Sequence, residues 1–530
     1  MAAAQNKAFA ARATGVVGIA ILSSRLLGLV REQVFAGLFG ATRNLDIFLI
    51  AFRVPNLLRD LFAEGALSTA FITTFSKKIA TEGDATAWRL ANKMATLTTI
   101  FMSGVTLLGI AFSRPLIGLI ARGFSAEEQA MTTLLTQIMW PFILLVSLAA
   151  LVMGMLNAKH VFGMPAMASS FFNVGSIVGG VSLGWWIDPH FGRPALVGLA
   201  FGTLVGGSLQ FAVQLPSLWR VGYRFRPDFA WRNEGVRTVL GLMGPAVIAA
   251  SAVQVNVLVN SAFASYLQKG AVSWLSIAFR LMQLPLGIFG VAIGTVTLPL
   301  VSRAAALQNT VEFRSVLARG MRLAFLLTIP SMLGLILLAR PIISIIYERG
   351  RFTSAMTIET AGALQCYALG LVAYSTLKVL TPAFYAIDKR HTPMLVSFLA
   401  IGTNFVLNWL FTFRLGLGHR GLALATSFVA ISNFLILYAM MRRYTGRLET
   451  GMLLSLVGKL IIAGVLLALI CLSANYFFFA EPSRQWIKIL EVLFTIATAA
   501  AVFFGAAYVL GVSEVGEAIG IIGRRLGRKR

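Results

Sequence analysis

Five arginines stand inside apolar stretches of this chain: Arg25, Arg31, Arg53, Arg59 and Arg280. A guanidinium is a planar fork of donors that suits phosphate oxygens better than the point charge of lysine does. Four acids accompany the first four arginines, namely Glu32, Asp46, Asp60 and Glu64. A spacing of seven residues returns to nearly the same face of a helix, so Arg25 aligns with Glu32 and Asp46 with Arg53. Arg280 lies between Phe279 and Leu281 and has no acidic neighbour within a helical turn. A charge at the centre of a bilayer costs roughly 2.5–3.5 kcal/mol, so such residues face a cavity or a partner. Ion pairing between the first two helices suits the acids; a cationic cavity for an anionic substrate suits the arginines. Lys378 is a further candidate, whereas Gln254, Asn256, Asn260, Asn173, Asn404 and Asn408 read as interhelical hydrogen-bonding groups.

No catalytic constellation accompanies these charges. His160, His190, His391 and His419 are scattered over separate segments, no Cys/His cluster has metal-ligand spacing, and no glycine-rich loop follows a strand. Neither a catalytic residue, a cofactor nor a metal site is expected.

The elements that must position the charges follow from composition. The chain has 530 residues, 58% of them hydrophobic and 12% charged, against about 25% charged in ordinary globular domains. A helix needs roughly 20 apolar residues to cross about 30 Å of hydrocarbon. Apolar runs predict fourteen spans, at 14–38, 46–75, 92–120, 130–156, 163–187, 195–218, 238–264, 273–301, 322–346, 357–385, 393–413, 419–441, 452–478 and 487–512. The runs are continuous and too long for tilted barrel strands, so the fold class is an all-α polytopic membrane protein.

Of the 45 basic residues, 27 fall on the side of the N-terminus and 12 on the other, which predicts two cytoplasmic termini. Most of the net charge of +25 therefore sits in short inner loops such as 219–237, and membrane insertion explains it without nucleic acid.

An offset of 227 residues places Ile50–Arg53 on Ile277–Arg280, Leu57 on Leu284 and Phe62 on Phe289. Each IAFR lies in the second span of a block of six. The expected organisation is two pseudo-symmetric six-helix bundles, 1–220 and 221–445, followed by two further helices and a basic tail over 446–530. Pro55, Gly65, Pro285, Gly287 and Gly290 interrupt the two IAFR helices, as tolerated where irregular backbone lines a cavity.

SSRLLGLVRE at 23–32, FRVPNLLRDLFAEGALSTAF at 52–71 and SWLSIAFRLMQLPLGIFGVAIGTVTLP at 273–299 resemble the MurJ (MviN) lipid II flippases of the multidrug/oligosaccharidyl-lipid/polysaccharide exporter superfamily. YERGRFTSA and KVLTPAFYA extend the resemblance over essentially the whole chain. It implies movement of undecaprenyl-pyrophosphate disaccharide-pentapeptide from the inner to the outer leaflet of the bacterial inner membrane by alternating access. Lipid II and membrane lipids are the implied partners, with peptidoglycan synthases as candidate ones and a monomeric state. The family's cavity arginines fall on Arg25, Arg31, Arg59 and Arg280 and its cavity acids on Glu32, Asp46 and Glu64, while Arg53 stands where many relatives have lysine. The last two helices correspond to a pair that flanks a groove for the lipid tail. Relatives often carry acids where this chain has Phe279 and Gln283, which keeps open a paralogue for another polyprenyl-pyrophosphate saccharide. A cationic-drug antiporter calls for an acidic cavity instead, and a membrane glycosyltransferase for a catalytic carboxylate.

Overall fold

The computed structural model describes residues 2–61, 68–479 and 484–517. Backbone that crosses hydrocarbon must satisfy its N–H and C=O groups within itself, so the apolar runs become helices. In chain order these are α1 (Ala2–Phe39), α2 (Arg43–Arg59), α3 (Ser68–Glu82), α4 (Asp84–Ile120), α5 (Ala126–Met139), α6 (Pro141–Ala158), α7 (Gly163–Ile187), α8 (Ala195–Ala212), α9 (Leu215–Arg220) and α10 (Glu234–Ser265). There follow α11 (Ala271–Pro285), α12 (Val291–Ala306), α13 (Thr310–Leu337), α14 (Ala339–Tyr347), α15 (Ser354–Ala368), α16 (Leu371–Ala386), α17 (His391–Trp409), α18 (Gly418–Thr445), α19 (Thr450–Phe477) and α20 (Gln485–Val509). Over the described residues, each of the fourteen expected spans falls on one of these helices or on two in succession; 62–67 of the second span, with Phe62 and Gly65, lie outside the described residues. Among the described residues, ten helical stretches are long and apolar enough to cross a membrane, or eleven if α15 and α16, bent by 41°, form one span. Large apolar side chains such as Leu107 (68% exposed), Trp186 (78%) and Val509 (84%) cover the outer faces, as a lipid solvent requires.

Hydroxyls inside the spans are met by the helix's own carbonyls one turn back: Thr136 Oγ1 donates to Thr132 O at 2.7 Å, and Thr426 Oγ1 to Leu422 O at 2.9 Å. Helix starts outside the apolar stretches carry side-chain caps. Ser125 and Glu128 form a capping box on α5, and Asn233 and Asn309 accept from the first turns of α10 and α13.

By packing, the chain divides into two units, Met1–Ser273 with Gly350–Phe352 and Trp274–Arg349 with Thr353–Arg530. The first unit takes in α10, which buries Val236 and Val239 with Phe71, Phe75 and Met94 of α3 and α4. Residues 446–517 pack into the second unit. Leu460 of α19 and Phe503 of α20 share a core with Leu317 and Met321 of α13 and with Phe384 of α16. Arg322 on α13 pairs with Glu449 at 2.7 Å and with Glu514 at 2.6 Å, and Arg319 pairs with Glu517.

In the first unit α7 and α8 meet along a seam of glycines. A Cβ on Gly198 would lie 2.2 Å from Gly184 N, one on Gly202 2.3 Å from Gly180 N, and one on Gly206 2.4 Å from Ser176 Oγ. Backbones approach this closely only where side chains are absent. The same unit takes in Gly350–Phe352: Arg351 N donates to Gly37 O at 2.8 Å, and the Arg351 guanidinium donates to the carbonyls of His190 and Phe191. Gly350, at φ +59°, would put a Cβ 2.3 Å from Gly37 O.

The two IAFR helices end alike. The helical turn widens at Asp60 and Leu61 after α2, and again at Leu286–Gly290 after α11. Under the 227-residue offset these two widenings overlap, so the repeat extends from sequence to backbone form.

Gly202→Ala forces a methyl into the α7–α8 seam and should destabilise by about 1–3 kcal/mol. Gly104→Ala on α4, with nothing within 4 Å, should be neutral or stabilising. Thermal unfolding of the two variants in detergent compares them. The Glu514 carboxyl is held below its ordinary value: burial works against this, but its own backbone N–H, Arg322 and Ser513 outweigh it. A depressed carboxylate stabilises fully above the ordinary glutamate pKa of 4.5 and loses that contribution as pH falls through the lower folded-state value. Glu514→Gln should therefore lower the melting temperature at pH 7 and flatten its decline below about pH 4.5.

Candidate anion-binding site

α1 and α2 pack against each other in the first unit and carry most of the candidate residues. On α1, Arg25 is exposed, and Arg31 and Glu32 are half-buried. The Arg31 guanidinium lies over the ring of Phe172 on α7, 5.2 Å from its centroid. A cation on a ring face keeps its charge and gains orientation, which suits a residue that must present donors to an anion.

On α2, Arg53 is half-buried and its Nη1 donates to Ser261 Oγ on α10 at 3.0 Å. Ser261 belongs to the polar stretch of α10 that also includes Asn256 and Asn260, so Arg53 faces that stretch directly. Arg59, in the last turn of α2, donates through Nε and Nη2 to Asp60 Oδ1 at 3.1 and 2.8 Å. The pairing of adjacent residues becomes possible where the helix widens at Asp60. Glu64 lies outside the described residues.

Asp46 behaves differently from the other candidates. Its side chain is fully buried, and its carboxylate accepts from Gly270 N at 2.7 Å, Ser273 N at 2.9 Å and Ser273 Oγ at 2.7 Å. It caps the first turn of α11, where free N–H groups and the positive end of the helix dipole favour an anion. Arg43 Nη1 stands 3.7 Å away and Arg43 Nε 3.6 Å from Glu128, while Arg43 Nη2 donates to Leu267 O at 3.3 Å. The Arg43 guanidinium also covers Phe124, 4.4 Å from the ring centroid. The seven-residue alignment of Asp46 with Arg53 does not bring the two together: one faces the α11 cap and the other Ser261. Arg43, Ser273 and Glu128 had no part in the reading of the sequence. The visible sign was the register itself, since Asp46 and Ser273 are 227 residues apart, the same offset that aligns the IAFR copies.

In the second unit, Arg280 is half-buried on α11 between buried Ala278 and Leu281. Phe279 packs edge-on against Tyr367 with ring centroids 5.2 Å apart, and Gln283 is exposed. Lys378 is exposed on α16. The buried amides make structural hydrogen bonds: Asn173 Nδ2 donates to Ser24 O and Ser169 O, each at 3.1 Å, and Asn408 Nδ2 to Asn404 Oδ1 at 2.8 Å. Among the described residues no three His, Cys, Asp or Glu side chains gather as a metal site.

Asp46→Ala would strip the α11 cap and remove one of the two acids beside Arg43, a change expected to cost about 3–5 kcal/mol. Asp46→Asn should cost less, since one acceptor oxygen survives. A detergent melting series of the two variants reads the difference; equal stability of Asp46→Ala and the parent chain would refute the cap.

Comparison with known proteins adds the following. The family model described as lipid II flippase MurJ matches residues 35–495. A probable lipid II flippase MurJ of Vibrio cholerae serotype O1 is 36% identical over 434 residues, covering 80% of this chain and 81% of the relative. The lipid II flippase MurJ of Burkholderia cenocepacia is 36% identical over 428 residues, covering 80% and 82%. A solved structure of a lipid II flippase MurJ in an inward closed conformation superposes with a TM-score of 0.73 at 26% identity, covering 92% of this chain and 98% of that one. An inward-facing multidrug MATE transporter of the MOP superfamily shares the fold, with a TM-score of 0.68 at 14% identity over 82% of this chain and 99% of that one.

Proposed function

Because this chain belongs to the lipid II flippase MurJ family, we propose that it carries lipid II from the inner to the outer leaflet of a bacterial inner membrane. The observation that carries the reading is the family match over 35–495, a range that contains Arg53, Arg59 and Arg280. The names of the relatives favour lipid II over another polyprenyl-pyrophosphate saccharide.

The proposed ligands of the pyrophosphate are Arg25, Arg31 and Arg59 in the first unit and Arg280 in the second. Arg53 and Glu32 tune the local charge, and the Asp46 cap holds the α11 start in place. A pyrophosphate needs several donors because it leaves water on entering the protein, and charge-assisted bonds from guanidinium forks replace its hydration. The prenyl chain stays in apolar surroundings, for which the surfaces of α19 and α20 are the proposed track. Exposed Leu454, Ile461, Leu469 and Leu493 supply that apolar face. Access alternates between the two leaflets with both termini cytoplasmic, and the working state is a monomer. The chemistry is transport alone, since no bond of the substrate is made or broken.

Expression in a bacterium depleted of its own flippase tests the reading, with outer-leaflet lipid II as the measure. The parent chain should restore growth and surface lipid II. Arg280→Glu should reduce transport at least tenfold at normal expression and melting temperature, because a charge reversal repels the phosphate. Wild-type growth with Arg280→Ala would remove Arg280 from the proposed ligand set.

A further inference from the structure

We propose that residues 219–237 form a strap that docks anionic phospholipid headgroups, a role separate from substrate transport. The strap joins α9 to α10 and runs without helix from 223 to 233. It is nevertheless fixed in place. Tyr223 is buried, with its ring 5.3 Å from that of Trp88. Arg226 N donates to Asn92 Oδ1 at 3.1 Å, Asp228 N donates to Thr96 Oγ1 at 3.1 Å, and the Asp228 carboxylate stands 3.9 Å from Lys93.

These anchors set the depth of the strap. Asn92 begins the apolar run of α4 and Thr96 lies one turn further in, so the strap lies where hydrocarbon gives way to headgroups.

What the strap leaves exposed is of two kinds. Arg220, Arg224, Arg226, Arg232 and Arg237 are all exposed. Beside them Trp219 (51%), Phe225 (52%) and Phe229 (64%) expose large rings. Of the two acids in the segment, Asp228 is engaged with Lys93 and with Ala230 N, which leaves Glu234 alone against five arginines. Rings settle at the interfacial level and arginines attract lipid phosphate within a Debye length of the surface. Exposed arginines and rings thus alternate along a segment that has no helix. A nucleic acid would meet the same charges, but the anchoring on Asn92 and Thr96 holds them against the bilayer and favours lipid.

The test uses the full-length protein in detergent doped with equal amounts of phosphatidylglycerol and phosphatidylcholine, with retained lipids counted by native mass spectrometry. The parent chain should retain phosphatidylglycerol at least threefold over phosphatidylcholine. Arg224→Gln/Arg226→Gln/Arg232→Gln should bring that ratio near one, whereas Arg442→Gln/Arg443→Gln at another basic turn should leave it unchanged. Salt at about 0.5 M should erase the preference of the parent chain, a control that needs no mutation. Phe225→Ser/Phe229→Ser should lower the total lipid retained while keeping the ratio. An unchanged ratio in the triple variant overturns the proposal. Displacement of the lipid by millimolar inorganic phosphate would assign the arginines to a soluble anion and overturn it too. So would binding of a single-stranded RNA that the triple substitution abolishes while lipid retention stays as in the parent. A chain that failed to transport lipid II would still give these lipid ratios, so the two readings fail separately.

Discussion

A charge that leaves water must find a counter-group, and the membrane-spanning part of this chain is arranged around that requirement. Asp46 is the clearest case. Its carboxylate has no exposed surface and three hydrogen-bond donors within 2.9 Å, two of them backbone N–H groups at the start of α11. The helix start gains an anion it would otherwise lack, and the anion gains a site that does not require water. Arg43 and Glu128 extend the same logic by one further charge each. Arg31 on Phe172 and Arg53 on Ser261 meet the requirement with an aromatic face and a hydroxyl, contacts that orient a guanidinium without cancelling its charge.

The spans were readable in the sequence because hydrocarbon imposes a simple rule on composition, and over the described residues the predicted spans coincide with helix. The arginines could be picked out for the same reason, since a charge in an apolar run is conspicuous. Asp46 was conspicuous too, but its partner was not. Periodicity within one helix relates residues a few turns apart, and the cap on α11 comes from a contact 227 residues away. The only trace of that contact in the sequence was the repeat, whose register pairs position 46 with position 273. The packing boundary after Ser273 was hidden for a related reason: apolar residues of α10 look the same whichever neighbour they bury against, and Val236 and Val239 turn out to face α3 and α4.

The last two spans looked like an appendix because they are left over once two blocks of six are counted. Their attachment lies in residues that hydropathy assigns to loops. Glu449 precedes α19 and Glu514 follows α20, and both close on Arg322 at the start of the apolar part of α13. Below that pair the helices share an apolar core, so α19 and α20 are built into the second unit at both depths. Basic residues counted only as topological signals thus carry specific pairings as well.

The glycine seam of α7 and α8 has a mechanical meaning. Backbones separated by less than a methyl's width have one register, and a slide of one helix along the other would drive Leu199, Val205 or Phe172 into main chain. The seam therefore resists sliding of α7 against α8. Deformation in the first unit must then be absorbed elsewhere, and the widened turn after α2, where Arg59 and Asp60 sit, is a place where a helix can change pitch without breaking every bond of its ladder. The first unit thus holds both a close-packed helix pair and, beside an arginine, a turn of wider pitch.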